Sequence, residues 1–206
     1  MDSAAPDVLA DMTTNVPIDM QVSFTNSFYS QSNITFDDVR ENVAEQDFVI
    51  ATEHVTFASV EMYNEIDYSY TLLGFLGINK TSFDSFSDAI DVDPLSLDYD
   101  NNSCLIEESF LIHQGLTVGG NYTIQTFVYT NVNGTWEEVE IMRTFIIVGT
   151  FVSHIYMYQE RWGQSDVTYL RMISTPDAIA STFEILGHES YYGMQDKIWV
   201  KFDHSI

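Results

Sequence analysis

Near each end of the chain, an alternating run, a capped helix and a second alternating run follow one another, and that order leaves few folds open. At the front, Ile18, Met20, Val22 and Phe24 alternate with Asp19, Gln21, Ser23 and Thr25, the two-residue period of a half-buried strand. Thr35-Phe36-Asp37-Asp38 then fits a capping box that opens a helix with Phe36, Val39 and Val43 on one face. Residues 48–62 read as a long strand through Phe48, Ile50, Val55, Phe57 and Val60. The apolar phase slips near Glu53-His54, which predicts a bulge or bend there. The end repeats this order. Residues 167–173 form a strand pattern, and Ser174-Thr175-Pro176-Asp177 starts a helix with proline in its first turn. Ile179, Phe183 and Leu186 make its buried stripe, and Gly187 is its stop. Ile198, Val200 and Phe202 then alternate with Lys201 and Asp203. Two β-α-β units of this kind commonly pair into a split sheet with both helices on one face.

Between the units, residues 67–160 are mostly β. A strand is expected over 68–78, where Gly74 and Gly77 suggest bends or close backbone approach. A Phe-rich short helix or turn follows over 81–89, and the acidic run to Asp100 reads as loop. A strand at 103–106 leads into a short helix over 107–114, stopped by Gly115. Strands at 122–130 and 136–148 flank Asn131-Val132-Asn133-Gly134, a hairpin turn in which Asn-Gly accepts positive φ. The expected organisation is α+β: a lead-in segment over 1–15, a split-βαβ module over 16–66 and 161–206, and an inserted β-rich subdomain over 67–160.

Thirty-one acidic residues against seven basic ones give a net charge of −24 over 206 residues. No basic stripe can form to neutralise phosphates, so nucleic acid is excluded as a partner class, and an anionic membrane surface is disfavoured. Aromatics at 14% separate the chain from disordered acidic tails. The charge fits either a solvated, salt-adapted surface or a domain displayed outside a membrane. Cys104 is the single cysteine, which rules out an internal disulfide and any zinc cluster built on several cysteines. The apolar stretch from Thr144 to Tyr158 holds fifteen residues, short of the ~20 a spanning helix needs. Asp2 follows Met1 with no basic start or apolar core, so no signal peptide is expected. The chain reads as a cytosolic protein or as a piece of a larger one. Five Asn-x-Ser/Thr patterns begin at Asn33, Asn79, Asn101, Asn121 and Asn133. They are candidate glycosylation acceptors, and their bland alternative is the clustering of Asn and Thr in turns.

Motifs for chemistry are sparse. His54, His113, His154, His188 and His204 form no i, i+4 pair, so no metal site is expected of them. Asp84, Asp88, Asp91, Asp93, Asp98 and Asp100 invite a calcium reading, but the glycine and glutamate of an EF-hand loop are missing at the required spacing. Gly-x-Ser-x-Gly is absent, and Cys104 lies in an apolar strand. Gly74-Phe75-Leu76-Gly77 and Val118-Gly119-Gly120 do not continue as phosphate cradles. Neither a catalytic residue nor a cofactor is expected.

From Leu72 onward the sequence becomes distinctive. LLGFLGINKTSFDSF resembles a segment of the MacB/FtsX-type ABC-transporter permeases, a strand ending in a hydrophobic-Gly-hydrophobic step before a Phe-containing turn. SCLIEESFLIHQGLTVGGNYTIQ is similar to their strand, Glu-Ser, short helix, Leu-Gly-Leu and x-Val-Gly signature. Here Cys104 to Ile106 are the strand, Glu108-Ser109 the helix start, Gly115-Leu116 the stop and Val118-Gly119 the turn. RTFIIVGTF resembles the family's Phe-x-Val-Val-Gly-x-Phe strand. The family usually carries Asp after the turn glycine, where this chain has Gly120.

The resemblance implies a non-catalytic domain with a porter-like module, held on the extracytoplasmic face between two membrane helices that this chain lacks. It further implies a second permease subunit and a cytoplasmic ATPase as partners through the full-length protein, with an external substrate or protein outside. Both chain ends should then lie at one pole. Two other readings stay open: an acidic extracellular or surface-layer module using calcium at Asp91, Asp93, Asp98 or Asp100, and a hydrolase using two carboxylates.

Overall fold

A computed structural model describes residues 18–23, 34–64, 69–93, 98–132, 134–154, 157–161, 164–186 and 194–203. The elements are β1 (Met20–Ser23), α1 (Phe36–Ala44), β2 (Val49–Asn64) and β3 (Ser69–Gly77). A 3-10 turn (Lys80–Ser82) runs into α2 (Phe83–Phe86), followed by β4 (Ile90–Val92), β5 (Ser103–Glu107) and α3 (Glu108–His113). Then come β6 (Asn121–Val132), β7 (Thr135–Ser153), β8 (Met157–Arg161), β9 (Gln164–Ser174), α4 (Pro176–Phe183) with a 3-10 turn (Glu184–Leu186), and β10 (Met194–Phe202). The class is α+β.

One mixed sheet carries the molecule in the order β1-β10-β2-β3-β9-β5-β7-β4, with β6 on β7 and β8 on β9. β3–β9 and β5–β7 are parallel and the other pairs antiparallel. Cross-strand pairs mark two faces, Ala58 opposite Phe75 on one and Phe57 opposite Leu76 on the other. The first face buries Ala58, Val60, Phe75, Cys104, Ile106 and Met172 against Ile179 and Phe183 of α4. Phe183 meets Phe75 at 5.1 Å between ring centroids. α1 lies on the same face, since Phe36 stacks on His54 at 4.2 Å and His54 shares its side of β2 with Ala58. On the second face Phe57, Leu76, Leu105, Phe151 and Trp199 pack with Phe83 and Phe86 of α2 and with Tyr99.

Local chemistry explains the helix starts. Thr35 Oγ1 accepts from Asp38 N at 3.1 Å, while Asp38 Oδ2 accepts from Thr35 N at 2.6 Å, the reciprocal bonds of a capping box. Thr175 caps α4 by a single bond, its Oγ1 accepting from Ala178 N, with Pro176 at the first helical position. Gly115 adopts φ +65 after α3, and Gly134 adopts φ +90 in the turn joining β6 to β7. Leu186 as a packed side chain, Gly187 as the helix stop and residues 1–15 all lie outside the described residues.

Three expectations need correction. The register of β2 against β10 is regular across Glu53-His54, and the irregularity falls at Ile50, the extra residue between Val49 and Ala51. The apolar phase slips at Glu53-His54 because β2 runs between two layers and buries both faces, so alternation fades. The acidic run is not all loop, because Ile90–Val92 pairs with the end of β7. β7 itself continues to Ser153, five residues past the expected end.

Candidate functional site

The first and last described residues lie together. Asp19 N donates to Val200 O at 3.0 Å and Phe202 N to Asp19 Oδ2 at 2.6 Å, while Asp203 N reaches Phe48 O at 2.8 Å. The first and last described strands are thus tied side by side, β1 against β10 with Met20 opposite Val200.

The family-like stretch builds a polar staple at the end of β5. Glu107 caps α3, its Oε2 accepting from Phe110 N at 2.8 Å and from Ser109 Oγ at 2.7 Å. The same oxygen accepts from Arg171 Nη1 at 3.1 Å. Burial pushes the Glu107 carboxyl up, but the bonds from Ser109 and Phe110 and the Arg171 guanidinium outweigh it, and the group sits below the ordinary carboxylate range. Arg171 lies 5.2 Å from the ring centroids of both Phe110 and Tyr169. A cleft of about 230 Å³ opens beside them, lined also by Ser153 and Thr168.

Arg143 makes a second staple. Its Nη1 donates to Ala178 O, Ser181 Oγ and Thr182 Oγ1 on α4 at 2.9, 2.6 and 3.0 Å, and its Nη2 donates to Asn101 O at 2.6 Å. An open hollow of about 430 Å³ adjoins it. These bonds tie β7, α4 and the turn before β5 together, which is positioning rather than acid–base chemistry.

The predicted site residues scatter. Asn79 and Asn101 are exposed, Asn79 donating to Glu53 at 3.1 Å and Asn101 accepting from Thr175. Asn121 is exposed at the start of β6. Asn33 and Asn133 lie outside the described residues. Asp88 pairs with Lys201 and Asp98 with Lys80. Asp100 accepts from Asn102 N and Ser103 Oγ, which holds it below the usual carboxylate range. Among the described residues no three His, Cys, Asp or Glu side chains come together as a metal site would require. His54 Nε2 lies 3.0 Å from Asp196 Oδ1. Cys104 is fully buried, and that burial pushes its thiol up to about 12, the opposite of a reactive cysteine.

Arg143, Arg171 and Lys197 were not singled out by motif reasoning, yet the two arginines join separate elements and Lys197 is buried. A signal was present for two of them. Arg143 occupies the same phase as Ile141 and Phe145, and Lys197 the same phase as Trp199. A base at an apolar phase in a chain with so few bases marks an inward position.

No helix among the described residues is long and apolar enough to cross a membrane. No family model matches the chain, and no curated protein matches it. Among solved structures it is similar to a domain of a Porphyromonas gingivalis protein assigned as a permease, at 16% identity and TM-score 0.40, covering 80% of this chain and 67% of that one. It is also similar to the periplasmic region of MacB from Actinobacillus actinomycetemcomitans, at 14% identity and TM-score 0.43, covering 92% of this chain and 78% of that one.

Proposed function

We propose that this chain is a non-catalytic, extracytoplasmic domain of a MacB/FtsX-type ABC-transporter permease, coupling ATP-driven motion to a substrate or protein outside the membrane. The observation that carries the reading is the junction of Asp19 with Val200 and Phe202. A domain set between two membrane helices needs its incoming and outgoing strands side by side at one pole. The ordered signature from Leu72 to Phe151 supports it independently, with Glu107 capping α3 and Gly115 ending it. The strand order also fits a porter-like split module, because β1 and β2 run parallel on either side of β10, with α1 joining them. The second permease subunit and the cytoplasmic ATPase belong to this proposal, as do Asn79, Asn101 and Asn121 as glycan acceptors on the outer surface.

Cysteine accessibility in intact cells tests the placement. The full-length gene product carrying Asn79→Cys is treated with a membrane-impermeant maleimide, and Cys104 stays silent because it is buried. Labelling of intact cells to the level seen after permeabilisation is expected. Labelling only after permeabilisation would put the domain inside the cell and end the reading.

A further inference from the structure

Among the described residues no strand pairs with the outer edge of β6. Its twelve residues, NYTIQTFVYTNV, contain no charge and no proline. They pair with β7 in unbroken register from Asn121 opposite Ile146 to Val132 opposite Thr135. Natural edge strands are commonly protected by a charge, a proline or a bulge, and this one has none of these.

The pairing phase shows which backbone groups are free. A two-residue turn makes Val132 and Thr135 a hydrogen-bonded pair, and Ile147 N donates to Gly120 O at 2.8 Å at the other end. Both observations give the same phase, in which even-numbered residues of β6 bond to β7. Thr123, Gln125 and Phe127 therefore turn their N–H and C=O groups away from β7. No hydrogen bond joins these groups to the rest of the described chain. Their side chains stand on the outer face, where Phe127 is 59% exposed, and Met142 at 65% and Trp136 at 67% stand on the same face of β7.

The charge around this edge chooses the occupant. Glu137, Glu138 and Glu140 on β7 are exposed, and Gln125 Nε2 donates to Glu140 at 2.7 Å. Arg143 is the one base of the two strands, and it points inward to α4. A strand added to β6 would lie two spacings from β7, about 10 Å. Lysine and arginine stems laid over Phe127 reach that far. A second copy of the chain would bring −24 against −24.

We propose that β6 is a docking edge that receives an extended, lysine- or arginine-bearing segment of a partner protein by β-strand addition. Nothing in this surface requires the chain to be tethered to a membrane.

The test titrates the whole chain with a synthetic peptide alternating lysine and valine, on the order of ten residues long. One-to-one binding is expected, weakening at least about tenfold when salt rises from low to physiological levels. The same peptide N-methylated at every residue keeps its charge and loses its donors, and is expected to bind at least about tenfold more weakly. Gln125→Pro, which removes one outward N–H and the side-chain bond to Glu140 but no backbone bond to β7, is expected to weaken the unmodified peptide similarly. Equal binding of the methylated peptide would show charge attraction alone and overturn the proposal, as would no binding at all. Self-association abolished by Gln125→Pro would assign the edge to a second copy instead. Should Gln125→Pro fail to fold, the comparison of the two peptides on the unaltered chain decides.

Discussion

Lys197 is 2% exposed, its Nζ 4.9 Å from the centroid of the Phe57 ring. Burial brings its ammonium down from 10.5 to about 8. A lysine depressed in the fold costs stability wherever the unfolded chain would hold the proton more tightly. The cost is absent above the unfolded value, grows as pH falls from about 10.5 to about 8, and is then constant at about 3 kcal/mol. Lys197→Met keeps the stem and drops the charge. It is expected to be more stable than the parent by about 2–3 kcal/mol at pH 7, less the lost ring contact. That advantage should vanish as pH approaches 10.5. Urea unfolding of both proteins across this range measures it, and a pH-independent difference would contradict it. The buried Cys104 and the half-buried Tyr122, both raised to about 12, weaken the fold in alkali, but equally in both proteins, so they cancel from the difference.

At the scale of elements, two contacts are sharp enough to predict. A Cβ on Gly77 would stand 2.6 Å from Pro176 Cα, because the end of β3 lies against the first turn of α4. Neither backbone can retreat, since Ile78 N is bonded to Ser174 O at 3.0 Å. Gly77→Ala is expected to cost about 2–4 kcal/mol, read as a lowered urea midpoint with unchanged slope. α1 is the opposite case. It has no fully buried residue and rests on Phe36 against His54 and on its cap. Thr35→Ala is expected to cost about 1 kcal/mol locally, raising amide exchange through Phe36–Ala44 while the global melting temperature barely moves. Loss of global stability equal to the local loss would mean α1 is bound into the core after all.

How much of this was legible in the chain follows from how many faces each element buries. β1, both capped helices and the β6–β7 hairpin were readable, because Thr35-x-x-Asp38, Thr175-Pro176 and Asn133-Gly134 act through local geometry. β2 carried a blurred signal and the alternation of β10 hid a second buried side, since both strands are covered on two sides. Trp199 and Lys197 stand opposite Ile198 and Val200, all buried. β4 is three residues long inside an acidic run, and only its pairing with a distant strand gives it regular structure. The staples at Arg143 and Arg171 join segments about 35 and 64 residues apart in sequence, a distance over which periodicity carries no signal.

For the whole molecule, charge is the feature that reaches furthest. Of seven bases, Arg143, Arg171 and Lys197 are turned into the fold, and Lys80 and Lys201 each pair with one exposed aspartate. Thirty-one acids are therefore answered by few surface cations, and the compact state brings like charges closer than the unfolded chain does. Salt relieves that repulsion, with a screening length of about 30 Å at 0.01 M falling to about 3 Å at 1 M. Raising sodium chloride across that range is expected to add about 2–3 kcal/mol, or about 5–10 °C in melting temperature for a chain of this size. Potassium chloride should act equally, because screening depends on ionic strength rather than on the ion. Calcium chloride at matched ionic strength separates this from the calcium-bound reading. The described aspartates are dispersed, so calcium is expected to add no more than its share of screening. A saturable rise in melting temperature at micromolar calcium, absent with sodium, would instead place a specific site in the acidic run.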